Sequence, residues 1–200
     1  FTGGDAALTR RIEQANLVFE TSGLSVHDPD TPALRLFVEI LGGGMASRLF
    51  QTAREERGLA YAVDAWFEGY EDVGVLGVYA GAAPERAEEL AQVAAEQLRA
   101  LAVEGPTPEE LDRAKAVLSA SLWMADESPA SRAGRSAAQT LIFGGPTSSD
   151  VLVQRMEAVT ADDMRRLGGR LLAPRLSATA VLGPKAASKA GKVFAETLNA

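Results

Sequence analysis

Arg54 and Tyr61 are the two side chains in this sequence whose chemistry and spacing suit work on a carbonyl group. The segment Arg54-Glu55-Glu56-Arg57-Gly58-Leu59-Ala60-Tyr61 reads as the last turn of a helix, a glycine stop and the first residues of a strand. A guanidinium and a phenol on the two sides of such a turn can converge on one point. Arginine brings fixed N–H donors and permanent charge, and tyrosine brings an O–H donor at neutral pH. Together they suit gripping a peptide carbonyl and stabilising the oxyanion formed when water attacks it. The same spacing also describes a helix-end ion pair and a tyrosine packed in a core, and the residues alone leave both readings open.

Other chemistries are narrowed by what the chain contains. His27 is its single histidine, and there is no cysteine. Two-histidine metal motifs, disulfides, thiolate metal sites and cysteine nucleophiles therefore cannot be built within it. A Ser-His-Asp triad would have to use His27, which sits in the turn-rich Val26-His27-Asp28-Pro29-Asp30 and reads as a loop side chain. Glu55-Glu56 and Glu71-Asp72 read as solvated surface, since adjacent residues on a helix do not face each other. Gly42-Gly43-Gly44 could cradle a phosphate ahead of a helix. However, no strand directly precedes these glycines, and neither Gly-x-Gly-x-x-Gly nor a Gly-Lys-Ser/Thr ending is present. Trp66, Phe67 and Tyr79 are expected in the core of a sheet.

The elements that must position Arg54 and Tyr61 follow from periodicity and punctuation. Gln14 to Gly23 reads as a strand. Asp30-Thr31-Pro32 opens a helix whose apolar residues Leu34, Phe37, Val38 and Leu41 recur at helical spacing, ending at Gly42-Gly43-Gly44. A second helix is expected from Met45 to Arg57, with Gly58 as its left-handed cap and Leu59 covering its last turn. Tyr61–Phe67 and Val73–Ala80 form strands joined by a turn over 68–72, hence a hairpin. Pro84 opens a helix with Ala87, Leu90, Ala91, Ala94, Leu98 and Leu101 on one face. Thr107-Pro108-Glu109-Glu110 is a capping box ahead of Leu111, Ala114, Leu118 and Leu122. Helices follow Ser128-Pro129 and Thr160-Ala161-Asp162-Asp163, then a strand over Leu176–Leu182 and a terminal helix. The fold class is α+β, a mixed and largely antiparallel sheet backed by helices on one face.

Two hundred residues, 46% hydrophobic, suffice for one substantial core, and residues 1–200 read as a single domain without an internal boundary. Phe1-Thr2-Gly3-Gly4-Asp5 lacks an initiating Met, as expected of a fragment or a processed chain. No apolar run approaches the ~20 residues that span a bilayer. A net charge of −7 without a basic segment argues against nucleic acid as a partner. The composition selects no compartment, and for a bacterial source it leaves cytoplasm and periplasm equally open.

One stretch is more specific. Gly42-Gly43-Gly44 leads into Ser47-Arg48-Leu49-Phe50, then Arg54-Glu55-Glu56-Arg57-Gly58-Leu59-Ala60-Tyr61. This resembles the C-terminal half of the pitrilysin, insulinase and mitochondrial-processing-peptidase family, whose Arg and Tyr, separated by six residues, fall on Arg54 and Tyr61. The resemblance begins at Gly3-Gly4-Asp5 and extends through Val159-Thr160-Ala161-Asp162-Asp163 to Ala180-Val181-Leu182-Gly183-Pro184. It implies the substrate-binding, oxyanion-stabilising half of a zinc endopeptidase. Arg54 and Tyr61 would be catalytic, and Gly42, Gly43, Gly44 and Ser47 would form a substrate-binding loop. The family's inverted His-x-x-Glu-His motif is absent here, so the resemblance puts the zinc in an N-terminal partner half, on the same polypeptide or a separate subunit. A peptide would lie extended along a sheet edge. Alone the chain would be inactive, with homodimerisation one arrangement open to it. The same family also includes non-catalytic partner and scaffold subunits.

Overall fold

A computed structural model describes residues 1–200. Five strands form one sheet: β1 (Gly4–Thr9), β2 (Ala15–Ser22), β3 (Ala60–Gly69), β4 (Gly74–Ala82) and β5 (Ser177–Gly183). Their order is β1-β5-β2-β4-β3. Only β1 and β5 run parallel; the β2–β5, β2–β4 and β3–β4 pairs are antiparallel. The expected mixed sheet and its β3–β4 hairpin are thus present. β1 was not anticipated as a strand, and it pairs only with β5.

Alternation along β2 decides which face the helices cover. Ala15, Leu17, Phe19 and Thr21 are buried while the residues between them are not, the two-residue period of a strand with one face on the core. Leu76, Val78, Ala80 and Ala82 of β4 join that face. Against it pack α1 (Thr31–Gly42), α2 (Ala87–Glu104), α6 (Ala161–Leu172) and α7 (Ala190–Leu198). Phe194 of α7 stacks on Phe19 at 4.3 Å and 3°. The α2 stripe read from the sequence, Ala87 through Leu101, is buried throughout. Trp66 and Tyr79 do not join the core. Trp66 lies across Gly77, whose missing Cβ would meet its ring at 2.3 Å, and Tyr79 donates to Asn16 Oδ1 at 2.9 Å. Phe67 does pack against the core.

The outer helices are α3 (Pro108–Glu127), α4 (Pro129–Phe143) and α5 (Ser149–Glu157), the last not foreseen in the sequence. The capping box at Thr107 and Glu110 forms as read, with both reciprocal bonds in place. The helix expected from Met45 to Arg57 begins only at 48, after a turn, and is wound as a π-helix over Phe50–Glu56.

An ion-pair network ties the loop before α1 to α6. Arg170 reaches Asp28 and Asp30, each at 2.6 Å, and Arg166 reaches Asp30 at 2.9 Å. Hydrogen bonding from Arg170 holds the Asp28 carboxyl below its ordinary pKa, outweighing its partial burial. A pKa lowered by folding contributes stability above the unfolded value, near pH 4, and loses it as pH falls through the folded value. Asp28→Asn should therefore be less stable than the parent at pH 6, with the gap closing below about pH 4. Urea midpoints across that range provide the check. A gap that stays constant with pH would show that the carboxylate charge is not what matters.

Candidate functional site

The glycine-rich segment, the π-helix and the start of β3 form one continuous unit. Gly42 is the buried last residue of α1, and a Cβ there would meet Ala65 Cβ of β3 at 2.6 Å. A Cβ on Gly43 would meet Glu39 Oε2 at 2.3 Å. These two glycines are thus required by close packing. Gly44 has open space around it and is exposed. Ser47 is buried; its hydroxyl donates to the Gly44 carbonyl at 2.6 Å and accepts from Phe50 N–H at 3.4 Å. The carbonyls of Met45 and Ala46 accept from Gln51 Nε2 at 2.6 Å and Arg113 at 3.0 Å. The loop is therefore tethered on several sides.

Its strongest tether is Arg48, a residue to which the sequence reading gave no role. Arg48 forms a fork on Glu110 with two bonds of 2.7 Å and also donates to the Gly105 carbonyl at 3.1 Å. Both side chains are about 15% exposed. Burial pushes the Glu110 carboxyl upward, but hydrogen bonds from Arg48 and the Thr107 N–H outweigh it and leave the pKa below the ordinary value.

Beyond Arg48 the chain enters the π-helix that carries Arg54. Such wide turns are rare and recur at functional positions. The unit closes as expected around Gly58 at φ +59°: Gly58 N–H bonds to Arg54 O at 3.1 Å and Leu59 N–H to Ala53 O at 2.7 Å. Leu59 is buried over that last turn. The Arg54 guanidinium lies 4.6 Å from the Phe50 ring centroid, with Nε 3.7 Å from Glu55 Oε1, and remains partly exposed. Stacking of this kind restrains a cation while leaving its outer N–H groups free for another acceptor.

Tyr61 is not a core residue; 62% of its surface is exposed. Ala60 pairs with Ala82 and Ala62 with Gly81, so Tyr61 is the extra residue of a β-bulge. A bulge re-aims a side chain that regular alternation would have sent elsewhere. β3 is also an edge strand, with one row of backbone groups unpaired. The structure thus brings Arg54, Gly58 and Tyr61 onto one helix–turn–strand unit at the sheet edge. His27 lies apart from it, 3.6 Å from Glu71 and edge-on to Phe143.

No grouping of three His, Cys, Asp or Glu side chains could hold a metal here. The residues do not fit a zinc site. No helix is long and apolar enough to cross a membrane.

Comparison with known proteins bears on this unit. The family model for the peptidase M16 inactive domain matches residues 7–118. A zinc protease of Streptomyces coelicolor is 35% identical over 175 residues, which is 88% of this chain and 38% of that protein. A zinc protease of Bacillus subtilis is 34% identical over 82% of this chain and 41% of its own length. The chain thus spans about two fifths of the length of these relatives. A peptidase M16 inactive domain from Pseudomonas fluorescens superposes with a TM-score of 0.83 at 25% identity, covering 92% of this chain and 44% of that one. A chain of complex III from Candida albicans shares the fold at 14% identity, with a TM-score of 0.86 over 98% of this chain and 49% of its own.

Proposed function

This chain belongs to the inactive-domain family of M16 peptidases, and from that premise we propose that it is the C-terminal, substrate-binding half of a zinc endopeptidase. The zinc would be held by an N-terminal partner half, since these residues do not fit a metal site. Arg54 and Tyr61 would donate to the substrate carbonyl and to the oxyanion that develops on it. An extended peptide would lie along the free edge of β3. Gly44, the glycine of the triad with open space around it, would give its backbone close access.

The observation that carries this reading is the bulge at Tyr61. Tyr61 is the unpaired residue of the ladder there, 62% exposed, just beyond the helix that carries a ring-stacked Arg54. A tyrosine serving only core packing would be buried.

Reconstitution with a zinc-bearing half of the family tests it. Arg54→Ala and Tyr61→Phe should each lower peptide cleavage by about 10²–10³, the usual loss for one oxyanion donor. Unchanged rates in both variants would remove the assigned roles. Failure of the parent chain to support cleavage with any zinc-bearing half would favour a scaffold subunit instead.

A further inference from the structure

A cleft of about 420 Å³ opens between α1, β3, α3 and α5. Its two ends carry opposite charge. Arg35 stands at one end with its guanidinium 5.8 Å from the Phe67 ring centroid. It is open at the cleft mouth, yet the surrounding protein lowers its pKa by burial, and no carboxylate offsets that effect. Glu39 stands at the other end, beside Gly43, where burial and then the charge of nearby Asp64 raise its carboxyl.

Arg35 and Glu39 are four residues apart on one helix face, the spacing at which such side chains ordinarily pair. Here they do not. Glu39 folds back over Gly43, where any Cβ would collide with it, while Arg35 leans toward Phe67. The separation is thus built by the Gly43 contact and by an aromatic on the neighbouring strand. Val38, Leu118, Leu122 and Met156 also line the cleft. An unpaired cation, unpaired anions and an apolar floor together form an incomplete electrostatic arrangement, which a ligand of opposite polarity would complete.

We propose that this cleft binds a small ligand carrying a free carboxylate and a free ammonium across an apolar body, a short peptide with both termini free. The carboxylate would be taken by the Arg35 fork and the ammonium by Glu39. The length follows from the helix: four residues rise ~6 Å, and a dipeptide in extended form spans ~7 Å. A single amino acid carries the same two charges but is too short to meet both ends. This site is distinct from Arg54 and Tyr61, and it does not depend on the reading given to them.

Calorimetry on the chain itself tests the assignment with Leu-Leu, N-acetyl-Leu-Leu, Leu-Leu amide and free leucine. Leu-Leu should bind, with each capped form and free leucine about tenfold weaker or more. Arg35→Gln should abolish the difference between the acid and the amide. Glu39→Gln should abolish the difference between the free and acetylated N-termini. Glu39→Gln keeps its volume and Arg35→Gln shortens a side chain exposed to solvent, and circular dichroism would verify the fold of both. Absence of Leu-Leu binding at millimolar concentration would overturn the proposal. So would equal affinity of free and capped peptides, or cap penalties unchanged in the two variants. Arg54→Ala and Tyr61→Phe should bind Leu-Leu like the parent, so failure here and failure of the catalytic roles remain separable.

Discussion

Gly168→Ala should destabilise the fold by about 3 kcal/mol or more, at or beyond the upper end of ordinary overpacking. The same change one residue later, Gly169→Ala, should stabilise it by up to about 1 kcal/mol. Both glycines are interior to α6. A Cβ on Gly168 would lie 2.0 Å from the Ala102 carbonyl oxygen and 2.5 Å from Ala102 C and Cα. Those are backbone atoms of α2, so no rotamer change relieves the clash, and the helices must separate. α2 and α6 are buried together through Leu98, Leu101, Met164, Leu167 and Leu171, so separation would disturb one continuous core. A Cβ on Gly169 meets nothing within 4 Å. There, alanine only lowers the entropy of the unfolded chain. Urea denaturation of the two variants gives the comparison directly. Equal effects of the same sign would contradict the close approach of α2 and α6.

Arg48→Ala should cost about 3 kcal/mol, the low end of the range for a mostly buried pair losing one partner. Most of that would come from leaving the Glu110 carboxylate with one backbone N–H and little water. Adding Glu110→Gln removes the stranded charge while preserving the capping geometry, since glutamine can serve at that position. The double variant should therefore be more stable than Arg48→Ala alone. A single-variant cost below about 1 kcal/mol would place the pair among solvent-screened surface contacts. The loop consequence is separate. Arg48 holds the segment between the glycine triad and the π-helix against the start of α3, so its loss should also increase amide exchange across 43–50.

Much of the fold was legible because its signals are local. Thr107 and Glu110 are three residues apart and announce a helix start. Gly58 followed by Leu59 announces a helix end, and the spacing of Ala87, Leu90, Ala94 and Leu98 marks a buried face. β1 has no such signal. Gly4-Asp5-Ala6-Ala7-Leu8-Thr9 contains a single β-branched residue, is exposed throughout, and acquires its conformation from β5, with Asp5 and Thr179 meeting 174 residues apart. The π-helix differs from an α-helix by a widened turn that no residue type encodes. Arg54 and Tyr61 stood out through a recognisable motif, whereas the bulge at Tyr61 depends on pairing with β4. Arg48 was hidden for another reason. Its partner lies 62 residues away and was already explained as half of a capping box. Arg35 and Glu39 resembled an unremarkable surface pair, because what parts them is Gly43 and a phenylalanine on another element.

The position of β5 between β1 and β2 has a consequence in time. During synthesis β2, β3 and β4 can meet as soon as residue 82 has emerged. β1 must wait for a strand made a hundred residues later, and that strand has to enter at β2 with β1 closing over it. The nascent sheet therefore passes through a three-stranded stage whose β2 edge is open and whose hydrophobic face lacks α7. Phe19, later stacked on Phe194, is uncovered throughout that interval. A chaperone acting on this protein would find its substrate there, before β5 and α7 arrive.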